Sequence, residues 1–282
     1  MRIGTNTAAT NTYSNLKSAN ASKAGSLAKL SSGLRINKAG DDAAGLSISE
    51  KMKNQISGLT QATRNAQDGI SLIQTAEGAL SETHSILNRM RDLSVQAANG
   101  TNSADDLTAI DSEMDSLTTE VNRIAKTTKF NEKALLDGTI NAAATSGVVL
   151  QIGANTTADD TLEITIEKMD AVVLGIDALD VVNTAAAADK GATKAIEALD
   201  LAIEAVSTER TTLGANQNRL EHTINNLSTT KENLSEANSR ITDVDMAEEM
   251  STFTKSNILS QAATSMLAQA NQMPQSVLSL LQ

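Results

Sequence analysis

Aliphatic residues recur at every seventh position over a long stretch towards the C-terminal end of the chain. The rungs of this ladder are Leu199, Val206, Leu213, Leu220, Leu227, Leu234 and Ile241. A second seam, three positions before each rung, is mixed, because Ile196 and Ile203 are apolar whereas Arg210 is charged. A strict period of seven with one complete seam predicts a long helix that is buried along a narrow stripe in a left-handed bundle.

Two more helices are predicted in the N-terminal half. One covers about 104–126, after a turn at Asn99-Gly100 and a capping residue, Ser103. Its apolar residues alternate three and four positions apart, at Leu107, Ile110, Met114, Leu117, Val121 and Ile124. The other covers about 44–98 and carries a heptad run at Leu59, Ala66, Ile73, Leu80 and Leu87. Each of the three helices offers the others an apolar face to bury.

The middle of the chain has a different pattern. Residues 148–153 and 161–166 alternate between apolar and polar, and the segment between them is rich in turn-forming residues. This pattern is typical of a β-hairpin near 148–166. The predicted fold class is therefore mainly α: long antiparallel helices in a coiled-coil-like bundle, with a small β-hairpin and paired terminal helices.

The two ends of the chain are both amphipathic but differ in charge. Residues 1–40 hold six basic residues and no acidic one, whereas 241–282 hold four acidic residues and one basic, a net charge of −3. Apolar stripes occur at Leu16, Ala19, Ala24, Leu27, Leu30 and Leu34, and at Ile258, Leu259, Ala262, Ala263, Met266, Leu267, Ala270 and Met273. We expect the ends to pair and to leave apolar surface for neighbouring subunits. The alternative is that they complete the bundle core.

The composition of the chain argues against several classes of function. A net charge of −11 argues against nucleic acid as a partner, and the absence of cysteine excludes disulfides and cysteine metal sites. No run of about 20 apolar residues predicts a membrane-spanning helix, and 1–16 hold no secretory signal. His84 and His222 lie in no metal-binding pattern, and no phosphate loop or triad order occurs. We therefore expect no catalytic residue, no cofactor, no metal and no membrane partner.

Several long motifs, in a fixed order, resemble those of bacterial flagellins. Towards the N-terminus they are LSSGLRIN at 30–37, DDAAGLSIS at 41–49, RNAQDGISLIQTAEGAL at 64–80 and RMRDLSVQAANGT at 89–101. Towards the C-terminus they are LGANQNRL at 213–220, SRITDVDM at 239–246 and MLAQANQMP at 266–274. The resemblance covers roughly 1–138 and 193–282.

The resemblance implies a layered architecture. In flagellins the two termini, here 1–43 with 240–282, form a paired-helix domain that folds on polymerisation. The bundle and its hairpin, here 44–239, form the next layer. The segment between the two matched regions is short, so no large outer domain is expected. The polymerisation interface implied for this chain comprises Leu27, Leu30, Leu34, Ile258, Leu259, Ala262, Met266 and Leu267.

The resemblance also implies partners and a location. The chain would be exported by the flagellar secretion machinery and would form the extracellular flagellum filament, which accounts for the missing signal peptide. Its partners would be further copies of itself, an export chaperone at the C-terminal helix, and the filament cap and hook–filament junction proteins. Arg89, Leu93 and Glu113 match the positions by which a host Toll-like receptor recognises many flagellins. Leu93 also lies on the apolar line of its helix, which favours packing as its own role.

Three hypotheses follow from the sequence. The first is the filament subunit, which is the only one that predicts unlimited self-assembly. The second is a hook–filament junction protein, which shares the terminal motifs. The third is a cytosolic coiled-coil adaptor, which is the only one that predicts folded termini in the free monomer.

Overall fold

The computed structural model describes residues 6–140, 147–182 and 191–280. Five α-helices dominate this part of the chain: α1 (Thr7–Ser32), α2 (Ala43–Ala97), α3 (Ala104–Thr127), α4 (Gly191–Thr242) and α5 (Met246–Leu280). Four short strands lie between α3 and α4: β1 (Lys129–Phe130), β2 (Lys133–Ala134), β3 (Val148–Gln151) and β4 (Thr161–Ile164). The mainly α fold with a small hairpin and paired terminal helices is confirmed.

The chain divides into two compact units. The terminal unit comprises the residues up to Ile56 and those from Glu232 onwards, and the bundle unit comprises Ser57–Lys231. The layer boundaries implied by the resemblance, at 43/44 and 239/240, concern an assembled polymer and stay a prediction.

The heptad ladders form the core of the bundle unit. On α2 the rungs Leu59, Ala66, Ile73, Leu80 and Leu87 are all buried, and on α4 so are Leu199, Val206, Leu213, Leu220 and Leu227. α3 contributes Ile110, Met114 and Val121 from its own three–four pattern. Ser103 caps α3, because its hydroxyl accepts a hydrogen bond from the Asp106 backbone N–H at 3.3 Å. Burying these aliphatic side chains, at about 1.5–3 kcal/mol each, drives the bundle together.

The second seam of α4 differs from the prediction. Ala195, Ala202 and Glu209 are buried, whereas Ile196 and Ile203 are only half-buried. The seam therefore lies three positions after the rungs at Leu199 and Val206, not three positions before them. Small alanines at these positions let α4 approach the neighbouring core closely, and the isoleucines cover its edge.

Two hairpins follow α3. Strands β3 and β4 pair antiparallel, with Val148 opposite Ile164 and Gln151 opposite Thr161. Gly69 of α2 provides space for this hairpin, because a Cβ built there would overlap Cδ1 of Leu150. The smaller hairpin of β1 and β2 was not predicted. Its two-residue turn has positive φ angles at Asn131 and Glu132 (47° and 67°), without a glycine.

An irregular segment completes the core of the bundle unit. Buried side chains are distributed along 166–182, at Ile166, Met169, Ala171, Leu174, Ile176 and Val181. Side chains of α3 hold its backbone: the Ala171 N–H donates to Oδ1 of Asn122 at 3.0 Å, and the Val181 N–H donates to Oδ1 of Asp111 at 3.3 Å. These bonds satisfy backbone groups that a buried loop would otherwise leave unpaired.

Candidate functional site

The terminal helices α1 and α5 pack along each other in antiparallel fashion. Near one end of the pair, Nδ2 of Asn6 donates to the backbone oxygen of Ala270 at 2.8 Å. Further along, Nζ of Lys23 donates to Oδ1 of Asn257 at 2.9 Å. Higher residue numbers on α1 therefore pair with lower residue numbers on α5, so the two helices are antiparallel.

The seam between α1 and α5 follows a heptad pattern made largely of small and polar residues. The less exposed positions that follow this pattern are Ala9, Thr12, Leu16, Ala19, Lys23, Ser26 and Leu30 on α1, and Glu249, Phe253, Ser256, Ser260, Ala263, Leu267 and Ala270 on α5. The most buried of them are Ser26, Ser256 and Ala270. Such small side chains allow a close approach of the two helices but bury little apolar area.

The pair is closed at its far end by backbone contacts. Gly33 ends α1 with a left-handed φ of 73°, a conformation that favours glycine. Leu34 then forms an isolated antiparallel bridge with Asp243, and the N–H of Arg35 donates to the Thr242 oxygen at 2.6 Å. The predicted interface residue Leu34 is therefore half-buried within the terminal unit.

The opposite charges of the two ends contribute little to this pairing. Lys29 and Glu249 form an ion pair with an N–O distance of 3.8 Å. Lys23 instead bonds to the neutral Asn257. Partly exposed ion pairs are worth about 0–1 kcal/mol. Packing and hydrogen bonds, more than ion pairs, therefore hold α1 and α5 together.

Most of the large apolar residues predicted to mediate assembly lie outside the seam. The exposed fractions are 55% for Leu27, 61% for Ile258, 50% for Leu259 and 65% for Met266. Ala262 is exposed as well. These five residues form the outer face of the terminal helices. Leu30 and Leu267 lie on the seam instead and are half-buried.

An open depression lies along the outer side of α5. Its volume is about 500 Å³, and it is lined by Met250, Ser251, Thr254, Lys255, Ile258 and Leu259. Its lining combines methionine, isoleucine and leucine with short polar side chains, and it contains a single charged residue. Such a surface fits the side chains of another apolar helix better than a small polar substrate.

The residues implied in receptor recognition lie in the bundle unit and differ in exposure. Nε and Nη2 of Arg89 both donate to Oε1 of Glu113, at 3.0 and 2.7 Å, and both side chains are exposed. Leu93, one turn further along α2, is only 2% exposed and belongs to the core. The ion pair is therefore available to a partner, whereas Leu93 packs inside the subunit.

Glu209 is a buried carboxyl group that the sequence analysis missed. It is 7% exposed, and its Oε1 accepts a long hydrogen bond of 3.4 Å from the Glu167 N–H. Burial, reinforced by the nearby charge of Glu167, raises the pKa of Glu209, although the hydrogen bond opposes this shift. Its position three residues after the Val206 rung was the signal that could have revealed it.

No group of residues suited to a metal ion is found in the described parts of the chain. Over the same residues, no helix is long and apolar enough to cross a bilayer.

Comparison with known proteins identifies the family. Residues 3–141 match the bacterial flagellin N-terminal helical region, and residues 196–281 match the C-terminal helical region. The chain belongs to the bacterial flagellin family. It is 54% identical to the flagellin of Bacillus subtilis (strain 168) over 305 aligned positions, which cover 100% of both chains. The flagellin of Halalkalibacterium halodurans is 53% identical over 258 positions, covering 90% of this chain and 89% of that protein.

A solved structure shares the fold. It is that of a putative flagellar hook-associated protein from Vibrio parahaemolyticus, with a TM-score of 0.60 and 16% sequence identity, covering 72% of this chain and 100% of that one. Flagellins are structural proteins of the flagellar filament and not enzymes, so this chain is a structural subunit. Its homologues form the extracellular filament.

Proposed function

We propose that this subunit is exported and polymerises without limit into a helical flagellar filament, through the outer face of its terminal helices, to drive swimming. The observation that carries this proposal is the exposure of Leu27, Ile258, Leu259 and Met266 on helices whose mutual seam is made mainly of small residues. Contiguous exposed apolar residues on a soluble protein mark an interaction surface.

Burial against neighbouring copies supplies the driving force that the α1–α5 seam lacks. Each large aliphatic side chain transferred from water gains about 1.5–3 kcal/mol. If the patch on one copy meets a different patch on the next, the contact is heterologous and generates an open helix instead of a closed ring. Small axial shifts between such contacts would give the supercoil that produces thrust.

Within this proposal the predicted interface residues take two roles. The exposed Leu27, Ile258, Leu259, Ala262 and Met266 contact neighbouring copies. Leu30, Leu34 and Leu267, which are half-buried, act indirectly by holding α1 and α5 in the arrangement that presents the outer face. Variants of the first group should block assembly without loosening the helix pair, whereas variants of the second should do both.

The same outer face accounts for the proposed partners before and during assembly. An export chaperone would cover α5 in the cytoplasm, because an exposed apolar helix face invites premature association. The filament cap would retain subunits at the distal tip while they fold. Hook–filament junction proteins would offer the first subunits a compatible terminal surface. The protein itself would leave the cell through the flagellar secretion machinery.

We also propose that a host Toll-like receptor recognises the exposed Arg89–Glu113 pair. A guanidinium and a carboxylate on the surface can exchange their mutual hydrogen bonds for bonds with a partner at little cost. Leu93 belongs to the core of the bundle unit, so its role in this proposal is to pack the helix that carries Arg89.

The second candidate function is that of a junction protein. This candidate rests on the terminal motifs that junction proteins share with flagellins, and the hook-associated protein from Vibrio parahaemolyticus, at 16% identity, shares the fold. A junction protein would bind a filament end and then stop. Elongation of filament seeds therefore separates the two candidates.

The test is elongation of short filament seeds by purified full-length chain, measured by negative-stain electron microscopy. The filament subunit should extend the seeds continuously in a salting-out buffer. Deletion of 258–282 should leave a soluble bundle unit that does not extend them. Normal elongation by the truncated chain would overturn the role given to α5.

Point variants refine the test. Ile258→Ser and Met266→Ser on the outer face should slow elongation strongly. Val149→Ser is the matched control, because Val149 is also 61% exposed but lies in the bundle unit. Equal loss of elongation in all three variants would contradict a specific role for the outer face.

A further inference from the structure

Among the described residues, the methionines of the bundle unit are buried, those of α5 are exposed, and Met52 of α2 is half-buried. The chain has nine methionines. In the bundle unit Met90, Met114 and Met169 are buried. On α5, by contrast, Met246, Met250, Met266 and Met273 are each about half exposed or more. Among the described residues, the exposed methionines therefore all lie on this one helix.

Exposed methionine is chemically distinct from exposed leucine. Its thioether sulfur is a soft nucleophile that peroxides oxidise to the sulfoxide, and susceptibility follows solvent access. A sulfur lone pair attacks one peroxide oxygen, the O–O bond breaks and an S–O bond forms. The sulfur loses two electrons, the peroxide is reduced, and proton transfer to the departing oxygen gives water. No further reactant is required.

We propose that the methionines of α5, represented by Met246, Met250 and Met266, are an oxidation site for peroxide-class oxidants, and that their conversion to sulfoxides stops the subunit from joining a filament. This inference rests on the proposed function for its effect on assembly, but not for the reaction itself. It adds a reversible chemical control to the surface through which copies associate.

The surroundings of these methionines explain the expected effect. Met250 lines the depression on α5 together with Ile258 and Leu259. Met266 follows the exposed Ala262 by one helical turn and is itself the most exposed of the four, at 65%. A sulfoxide places a strongly polar oxygen on this apolar surface. Burying that oxygen against another apolar helix without a hydrogen-bond partner opposes association.

The buried methionines make the control selective. The side chains of Met90 and Met114 have exposed fractions of 0% and 1%, so peroxide reaches them only when the bundle opens. Oxidation of the buried methionines is therefore slow, so the bundle unit keeps its fold while the α5 methionines react. Because methionine sulfoxide reductases reverse the modification, an oxidised subunit can recover.

The chemical step is tested by treating the full-length monomer with hydrogen peroxide and mapping added oxygen in its peptides by mass spectrometry. Met250 and Met266 should be oxidised at least about tenfold faster than Met90 and Met114, since reactivity follows exposure. The assembled filament should protect the α5 methionines. Equal rates at exposed and buried methionines would overturn the proposal.

The effect on assembly is tested with the same oxidised monomer and untreated seeds. Elongation should fall at least about tenfold, as expected when a polar group enters an interface hot spot, and reductase treatment should restore it. The variant carrying Met246→Leu, Met250→Leu, Met266→Leu and Met273→Leu should elongate seeds with or without peroxide. Met169→Leu, at a buried position, is the matched control and should stay peroxide-sensitive.

The outcomes separate this inference from the proposed function. Normal elongation by a monomer whose α5 methionines all carry oxygen would overturn the inference alone. Failure of the untreated chain to elongate seeds would overturn the proposed function, while the selective oxidation could still be observed. If the quadruple variant fails to assemble, the single variants Met250→Leu and Met266→Leu decide, because each should reduce peroxide sensitivity in part.

Discussion

The hydroxyl of Ser260 donates a hydrogen bond of 2.8 Å to Oδ1 of Asn20, a residue 240 positions away in the chain. Ser260 belongs to the seam between α1 and α5, whose most buried members are Ser26, Ser256 and Ala270. Neither residue is large or charged, so their contact fixes the register of α1 against α5 and buries little apolar area. The pairing of α1 and α5 therefore gains little free energy from apolar burial between the two helices.

Enlarging a seam residue should open the terminal pair. Ser26→Leu places three extra carbon atoms where the side chain is 4% exposed, which should cost about 1–3 kcal/mol. Limited proteolysis of assembled filaments should then cut α1 and α5 faster while the bundle unit stays resistant. Ala24→Leu, at an exposed position two residues away, is the control and should change neither rate. Unchanged cleavage in Ser26→Leu would show that the seam does not hold the pair.

Two glycines of α2 should respond in opposite directions to the same substitution. Gly69→Ala forces its new Cβ against Leu150 of the hairpin and should destabilise the bundle unit by about 1–3 kcal/mol. Gly78→Ala meets nothing within 4 Å and should stabilise the helix by about 0.5–1 kcal/mol. Urea unfolding measures both, and destabilisation of equal size at the two sites would contradict the packing described.

Stability should depend on pH through Glu209. Its pKa is raised in the folded state by burial, so the folded chain holds this proton more tightly than the unfolded chain does. The stabilisation that results is fully present below pH 4.5, which is the ordinary pKa of a glutamate. It is lost as the pH rises through the raised pKa of Glu209 in the folded chain. Glu209→Gln, which stays neutral, should therefore raise the unfolding free energy by roughly 1 kcal/mol at neutral pH.

The comparison needs a second pH and a control. Below pH 4.5 the gain of Glu209→Gln should vanish, because both side chains are then neutral. Glu204→Gln, at an exposed position on α4, should change stability by less than about 0.5 kcal/mol at either pH. A gain independent of pH would mean that the charge of Glu209 is not the cause.

Two substitutions on α2 should distinguish the residue that a receptor contacts from the residue that packs in the core. Arg89→Ala removes an exposed ion pair and should cost at most about 1 kcal/mol of stability. In a receptor reporter assay it should lower signalling at least about tenfold, the effect of losing one hot-spot arginine. Leu93→Ala should instead cost about 2–5 kcal/mol because it leaves a cavity in the core. Full signalling by Arg89→Ala would refute recognition through this pair.

The helices were predictable because their periodicity is continuous and their ends are marked. The ranges predicted as 44–98 and 104–126 agree within one residue with α2 (Ala43–Ala97) and α3 (Ala104–Thr127). Heptad spacing gives the buried face directly, and the capping residue Ser103 fixes where α3 begins. The hairpin was found from alternation in the same way.

Features without a period could not be predicted. The segment 166–182 packs into the core through scattered residues such as Met169 and Ile176, which follow neither helical nor strand spacing. The second seam of α4 was misplaced because alanine gives a weaker apolar signal than the nearby isoleucines. On the terminal helices, the sequence identified apolar stripes but could not distinguish the seam residue Leu267 from the outward-facing Met266.

The most buried positions of the seam are serine and alanine, and side chains this small interlock weakly. Large side chains that interdigitate prevent two helices from sliding along each other. Small residues such as Ser26, Ser256 and Ala270 offer little steric resistance to sliding along the helix axes. Resistance to sliding then rests on polar contacts such as Asn6 to Ala270 and Lys23 to Asn257. One helical turn advances about 5.4 Å, and such contacts can break and re-form one turn further on. Axial load on the terminal pair would then be relieved in steps of one helical turn.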